Sequence, residues 1–341
     1  MPEKITYEEL LRRMHDPAIP EADLRPYLMA APEGNPLDPV VVPNPETVVV
    51  SEVEMDAASA IRIGNGLARW RRQRQFNLRR LAGEALPVLV SEGDSWFQFP
   101  FLITDVVDHL GGAYLIWSLD AAGDTARNMV DLRPEYLDGL RRFPDEVRAF
   151  LFSAAGNDVI GEDENGNSSL LGILRPFRQG AGAGELIDRD KLRVVLANLA
   201  DAYTKLISTI RAEAGMARLP IIIHGYDYPF PHPFLEGGAL DPRRPRWAAR
   251  DEWLGSALAA RGIADQTLRR EVLTILIDAL YATLAAIAGD SDRTMVFVVD
   301  CRGALPRVAD WADEIHGTDE GFSRVADRFH SVLKRALELS V

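Results

Sequence analysis

Ala85-Leu86-Pro87-Val88-Leu89-Val90-Ser91-Glu92-Gly93-Asp94-Ser95 runs from an apolar segment into a tight, polar end. Its apolar part, Pro87–Val90, reads as a buried strand. The glycine and the serine fall just past the carboxyl end of that strand. Four more apolar runs follow: Tyr114–Ser118, Ala149–Ser153, Pro220–His224 and Met295–Val299. Helical stretches such as Lys191–Ala212 and Gln266–Ala288 separate them, and Phe322–Leu339 follows the fifth. Strands alternating with helices predict an α/β fold with a parallel sheet, right-handed crossovers and helices on both faces. Ligands of such folds bind at the carboxyl ends of the strands.

Upstream the pattern differs. Prolines recur at Pro2, Pro17, Pro20, Pro26, Pro32, Pro36, Pro39, Pro43 and Pro45. Two short helices fit between them, near Tyr7–Met14 and Glu21–Met29, and the rest reads as an extended arm. Residues 54–82 read as a long helix, with Ala57, Ile61, Leu67, Trp70 and Leu78 at roughly helical spacing. Residues 1–84 are thus expected to form a helical and extended extension packed on a main domain of residues 85–341. Two stretches read as insertions. Gly161–Gly184 has loop composition, and the proline- and aromatic-rich Tyr228–Arg250 should overhang the mouth of the fourth strand. The arm and the Tyr228–Trp253 region are expected to form a lid or rim.

The chain has 341 residues, 47% apolar and 26% charged, with a net charge of -13. That balance suits a soluble globular protein and disfavours a nucleic-acid partner, whose phosphates need a basic surface. One cysteine, Cys301, excludes an internal disulfide and reads as a buried core thiol. The start, Met1-Pro2-Glu3-Lys4-Ile5-Thr6, lacks a signal-peptide core, and no eighteen-residue apolar run occurs. A cytoplasmic location without a membrane span is expected. The seven arginines between Arg62 and Arg80 read as a solvated helix face.

Three short motifs fall after strand ends. Gly93-Asp94-Ser95 follows the first strand, Gly156-Asn157-Asp158 the third, and Asp313-Glu314-Ile315-His316 the fifth. They supply the parts for serine-dependent acyl transfer. Ser95 is the candidate nucleophile, His316 the base, and Asp313 the carboxylate that orients it. Asn157 can offer a side-chain N–H to an oxyanion, and Gly123 a backbone N–H. Ser95 would also suit the N-cap of a helix over Trp96–Leu110. Trp96, Asp94, His224, Tyr226 and Tyr228 lie near the same strand ends and are expected to contact substrate. His224, Asp227 and His232 fit no standard metal-ligand spacing, so no metal is expected.

These blocks resemble the SGNH hydrolases of the GDSL-like superfamily. That family carries a Ser, a Gly, an Asn and a His in four blocks, matched here by Ser95, Gly123, Asn157 and His316. The resemblance covers roughly residues 86–339. It implies a flavodoxin-like three-layer sandwich with a five-stranded sheet ordered 2-1-3-4-5. It also implies an oxyanion hole from the Ser95 N–H, the Gly123 N–H and the Asn157 amide, and hydrolysis of esters without metal or cofactor. The sequence departs from the family at Ala155, where glycine is common, and at Gly317, where proline is common. The expected function is a serine esterase acting on a small-molecule, carbohydrate or lipid ester. The alternatives are a non-catalytic binding module on the same fold and an acyltransferase using the same acyl-enzyme.

Overall fold

The structure, a computed structural model, describes residues 2–31, 40–50, 64–161, 168–243 and 253–340. Its centre is a parallel sheet of β1 (Val88–Gly93), β2 (Leu115–Ser118), β3 (Val147–Ser153), β4 (Ile221–His224) and β5 (Val296–Val299). The order across the sheet is β2-β1-β3-β4-β5. This is the flavodoxin-like order expected above. Each strand is buried on both faces, which explains why the sequence shows apolar runs rather than alternation. Leu89, Leu151, Ile222 and Phe297 enter one core, with Phe322, Phe329 and Leu333 of the C-terminal helix. Val90, Phe150, Phe152, Ile221 and Ile223 enter the other, with Leu199, Tyr203 and Leu206 of the Arg189–Ala212 helix and Leu280 and Leu284 of the Gln266–Ala288 helix.

The strand order reverses beside β1: its neighbours are β2 on one side and β3 on the other. Connections from β1 and β3 therefore leave in opposite directions, and a crevice opens at their carboxyl ends. Gly93 and Ser153 are register partners, so Ser95 and Ala155 emerge side by side.

Several local expectations change. No helix runs over Trp96–Leu110. The Asp94 carbonyl accepts from Phe97 N and Gln98 N, both at 3.0 Å, and the turn ends there. Pro100 and Phe101, at φ 61°, redirect the chain, and Val106–Leu110 forms a short helix capped by Asp105. Phe97, Phe99 and Phe101 are buried, so the aromatic run dives into the core instead of winding over it. Ser95 sits in a turn and caps no long helix. The Glu21–Met29 helix stops at Leu24, and Leu28–Ala30 pairs antiparallel with Val41–Pro43. Within the expected loop Gly161–Gly184, Ser169–Ile173 is helical, capped by Ser168, with Leu170 and Ile173 buried.

The helix expected over 54–82 forms at Asn65–Leu81; residues 51–63 lie outside the described residues. Its inward face is Ala68, Arg71 and Phe76, while Trp70 and Leu78 are exposed. The arginines are only partly a solvated face. Arg71 donates to the carbonyls of Met14, Asp16 and Ile19. Arg72 pairs with Asp105 and Asp108. A guanidinium offers five donors, which suits it to gather carbonyls that no regular element satisfies.

The Gln266–Ala288 helix is long and apolar enough, taken alone, to cross a membrane. Here it packs against β4, β5 and the Arg189–Ala212 helix.

The Tyr7–Met14 helix forms with Thr6 as its N-cap. Tyr7, Leu10, Met14, Leu24 and Val41 join the same core cluster as Phe101 and Phe329. A polar clasp adds to the hold on the arm: Arg25 Nη1 reaches Asp319 Oδ2 at 2.5 Å, and Asp319 Oδ1 accepts from Thr104 N at 2.9 Å. Burial opposes the Asp319 charge, but Arg25 and Thr104 hold its carboxyl below the ordinary value of 3.8. A lowered folded-state pKa contributes stability above the unfolded value, lost as pH falls through the folded one. Asp319→Asn is therefore expected to lower Tm at pH 7. The two proteins should converge as pH falls below 3.8. Equal melting curves at pH 7 would show that the clasp adds nothing.

Candidate active site

β1 delivers the nucleophile turn through Gly93. A Cβ there would lie 2.7 Å from Phe97 Cδ2 and 2.8 Å from Ser153 Cβ, so only glycine lets β1 and β3 end this close. Asp94 N then donates to the Ser153 carbonyl at 3.1 Å. The Asp94 carboxylate accepts from Trp96 N at 3.1 Å and from Ser153 Oγ at 2.7 Å. The Tyr226 hydroxyl donates to its other oxygen and itself accepts from Gly156 N at 2.8 Å. Asp94 is thus the rivet that fixes the turn.

The segment after β5 brings three groups into line. His316 Nε2 lies 2.7 Å from Ser95 Oγ, and His316 Nδ1 lies 2.7 Å from Asp313 Oδ2. Asp313 Oδ1 accepts from Ile315 N at 2.8 Å and His316 N at 2.7 Å. The loop closes on itself through Ala312 N to the His316 carbonyl at 2.8 Å. Trp96 Nε1 donates to the Ile315 carbonyl at 2.8 Å, tying the loop to the Ser95 turn. Phe99 packs on the imidazole with ring centroids 4.4 Å apart. Asp313 and His316 are both fully buried. Burial works against the Asp313 charge, yet the His316 ring and the two backbone N–H groups hold its carboxyl below the ordinary value. Asp313 is therefore an acceptor, which places a proton on Nδ1 and leaves the Nε2 lone pair facing Ser95.

Glu314, between these two residues, has a different task that the sequence does not reveal. Its carboxylate accepts from the backbone N–H groups of His232, Leu254 and Gly255, the last two at 2.7 and 2.8 Å. It binds the His316 loop to the segment around His232 and to the Trp253–Ala260 helix. Burial pushes its acid up to about 8, against the pull of those three N–H groups and Arg243. Gly255 is required there, since a Cβ would lie 2.0 Å from the His232 carbonyl oxygen. Arg243 Nη1 adds bonds to the Phe230 and Asp313 carbonyls at 2.8 and 3.1 Å.

The remaining groups come from the loops after β2 and β3. Gly123 takes φ 83°, in the left-handed region that favours glycine. Asn157 Nδ2 donates to the Asp124 carbonyl at 2.6 Å. That bond joins the two loops and leaves the second amide hydrogen for another acceptor. Ala155, at φ 106°, bears a left-handed conformation where a glycine would be unstrained.

Of the residues expected to contact substrate, Trp96, Asp94 and Tyr226 border a cleft that opens at Ser95. The two oxygens of Asp94 are already occupied by Ser153, Trp96 and Tyr226. His224 and Tyr228 do not border this cleft. His224 is fully buried, stacked on Phe97, with Nε2 2.7 Å from Ser153 Oγ and Nδ1 2.6 Å from the Gly225 carbonyl. Burial lowers its pKa to about 4, against the pull of the Asp94 carboxylate and the Gly225 carbonyl. Tyr228 turns outward and donates to Asp278 Oδ1 at 2.6 Å. Asp227 accepts backbone N–H groups from Tyr228, Gly303 and Leu305. Among the described residues, no cluster of three or more His, Cys, Asp or Glu could hold a metal ion. Cys301 is buried, and burial pushes its thiol up.

Beyond Ser95 and Asn157 the cleft is walled by Leu170, Leu192, Leu196, Leu254, Leu273 and Leu276. The enclosed part of the cleft has a volume of about 90 Å³. One face of two helices serves both core and cleft, and spacing alone cannot separate the two.

No protein-family model matches the chain, and no curated protein matches it by sequence. Solved structures are similar at low identity. An extracellular lipase from Streptomyces rimosus is 12% identical, covering 72% of this chain and 99% of its own, with a TM-score of 0.43. A chain described as "a putative SGNH hydrolase" from Slackia heliotrinireducens is 11% identical, covering 72% and 98%, with a TM-score of 0.43. An acetyl xylan esterase is 14% identical, covering 72% and 98%, with a TM-score of 0.34.

Proposed function

We propose that this chain is a serine-dependent ester hydrolase. The observation that carries the reading is the unbroken line Ser95 Oγ to His316 Nε2 to His316 Nδ1 to Asp313 Oδ2, with 2.7 Å at each contact between residues. Ser95 Oγ attacks the acyl carbonyl carbon while its proton passes to His316 Nε2. The buried Asp313 carboxylate stabilises the imidazolium and holds its ring in place. The carbonyl oxygen becomes an oxyanion, met by the N–H groups of Ser95 and Gly123 and the free amide hydrogen of Asn157. On collapse, the ester C–O bond breaks and Nε2–H protonates the departing alcohol oxygen. Water then gives its proton to Nε2 as it attacks the acyl-enzyme. The Nε2 proton returns to Ser95 Oγ, and the carboxylic acid leaves.

The test uses aryl ester turnover by the full chain and by Asn157→Ala. The variant is expected to lose roughly 10²–10³-fold in kcat, the scale of one oxyanion donor. Absence of turnover by the unaltered protein on aryl esters and thioesters would overturn the function. A loss confined to KM would mean that Asn157 binds ground and transition states alike, removing it from the oxyanion hole.

A further inference from the structure

We propose that the cleft beside Ser95 is an acyl-chain site, and that the substrates are esters of medium-length, unbranched aliphatic acids. This deepens the hydrolase reading and rests on it. The cleft is chemically one-ended. Ser95 and Asn157 stand at the reacting end, and the wall beyond is built of leucine and isoleucine side chains from the Arg189–Ala212, Trp253–Ala260 and Gln266–Ala288 helices. The polar groups Asp94 and Tyr226 at that same end bond each other. A sugar ring in this space would leave its hydroxyls without partners, at a cost of about 1–3 kcal/mol each. A dicarboxylic acyl group would need a cation, and no lysine or arginine borders the cleft among the described residues. An acetyl group would leave the apolar wall uncovered. A hydrocarbon chain satisfies all of these surfaces.

The acyl side of the ester, rather than the alcohol side, fits the cleft. His316 must reach the departing oxygen, and His316 does not border the cleft. Asn157, the proposed oxyanion donor, does. The alcohol therefore leaves on the His316 side while the acyl chain extends among the leucines. The same placement fits the Gln266–Ala288 helix, one stripe of which runs from Leu273, Leu276 and Ile277 at the cleft, through Leu280, which borders both, to Leu284 in the core.

The experiment measures kcat/KM for p-nitrophenyl acetate, butyrate, hexanoate and octanoate. Burial of each added methylene should raise it roughly fourfold, until the cleft is full. Leu196→Trp and Ile277→Trp, which thicken the wall from two different helices, should each cut the octanoate-to-acetate ratio tenfold or more. Alkyl boronic acids of increasing length, used on the unaltered protein, should inhibit more tightly with each methylene, so the proposal does not depend on either variant folding. Acetate as the best substrate, with boronic acid affinity flat in chain length, would overturn the acyl site. So would acceleration that follows the alcohol's length in a series of alkyl acetates. If aryl acetate hydrolysis still vanished in Ser95→Ala in those cases, the hydrolase reading would stand without it. Turnover of no ester at all, together with no reaction of Ser95 with an organophosphonate, would overturn the hydrolase reading itself.

Discussion

Ser95→Ala is expected to lower aryl ester kcat by on the order of 10⁶-fold, the scale on which a serine hydrolase loses its nucleophile. The folded state should survive. Ser95 Oγ is bonded to His316 Nε2, but the turn itself is held by Asp94, Ser153, Trp96 and Tyr226. Circular dichroism and Tm of the variant should therefore stay close to the parent. A folded variant that keeps more than a hundredth of the activity would remove Ser95 from the chemistry.

Asp313→Asn is expected to cost about 10⁴-fold in kcat with KM little changed. The argument concerns a proton. The Asp313 carboxylate accepts from Nδ1, and it also accepts from the Ile315 and His316 N–H groups. An asparagine can keep its carbonyl oxygen on the two backbone donors, which turns its NH₂ toward the imidazole. Nδ1 must then accept, the proton moves to Nε2, and the base facing Ser95 is lost. A loss under tenfold at neutral pH would mean that His316 holds its tautomer without Asp313.

The sheet was legible because it is parallel and doubly buried. Runs such as Val88–Val90 and Ile221–Ile223 have no polar side to blur them. The strand order followed from the motif resemblance, and spacing alone would have left it open. The meeting of Ser95 with His316 was legible because both follow strand ends, where a parallel fold gathers its loops. Less legible were groups whose partners lie far off in sequence. Nothing near Glu314 marks it as the acceptor for His232, Leu254 and Gly255. Nothing near Arg71 marks it as the collector of carbonyls from Met14 to Ile19. His224 and Tyr228 were placed at the site because they follow β4. His224, the last residue of β4, points into the interior, and Tyr228, in the loop beyond it, bonds Asp278 at the surface. The Trp96–Leu110 helix failed for a local reason: three phenylalanines spaced two apart demand burial on a spacing that a helix cannot serve.

The most direct measurement is intact-mass and peptide analysis of the full chain after treatment with a fluorophosphonate. A serine made nucleophilic by a buried His–Asp pair displaces the fluoride and forms a stable phosphonate ester, whereas ordinary serines do not react. The account predicts one adduct per chain, carried by the peptide that contains Gly93-Asp94-Ser95, and its disappearance in His316→Ala. No adduct, or an adduct on another serine that persists when Ser95 is replaced, would contradict it.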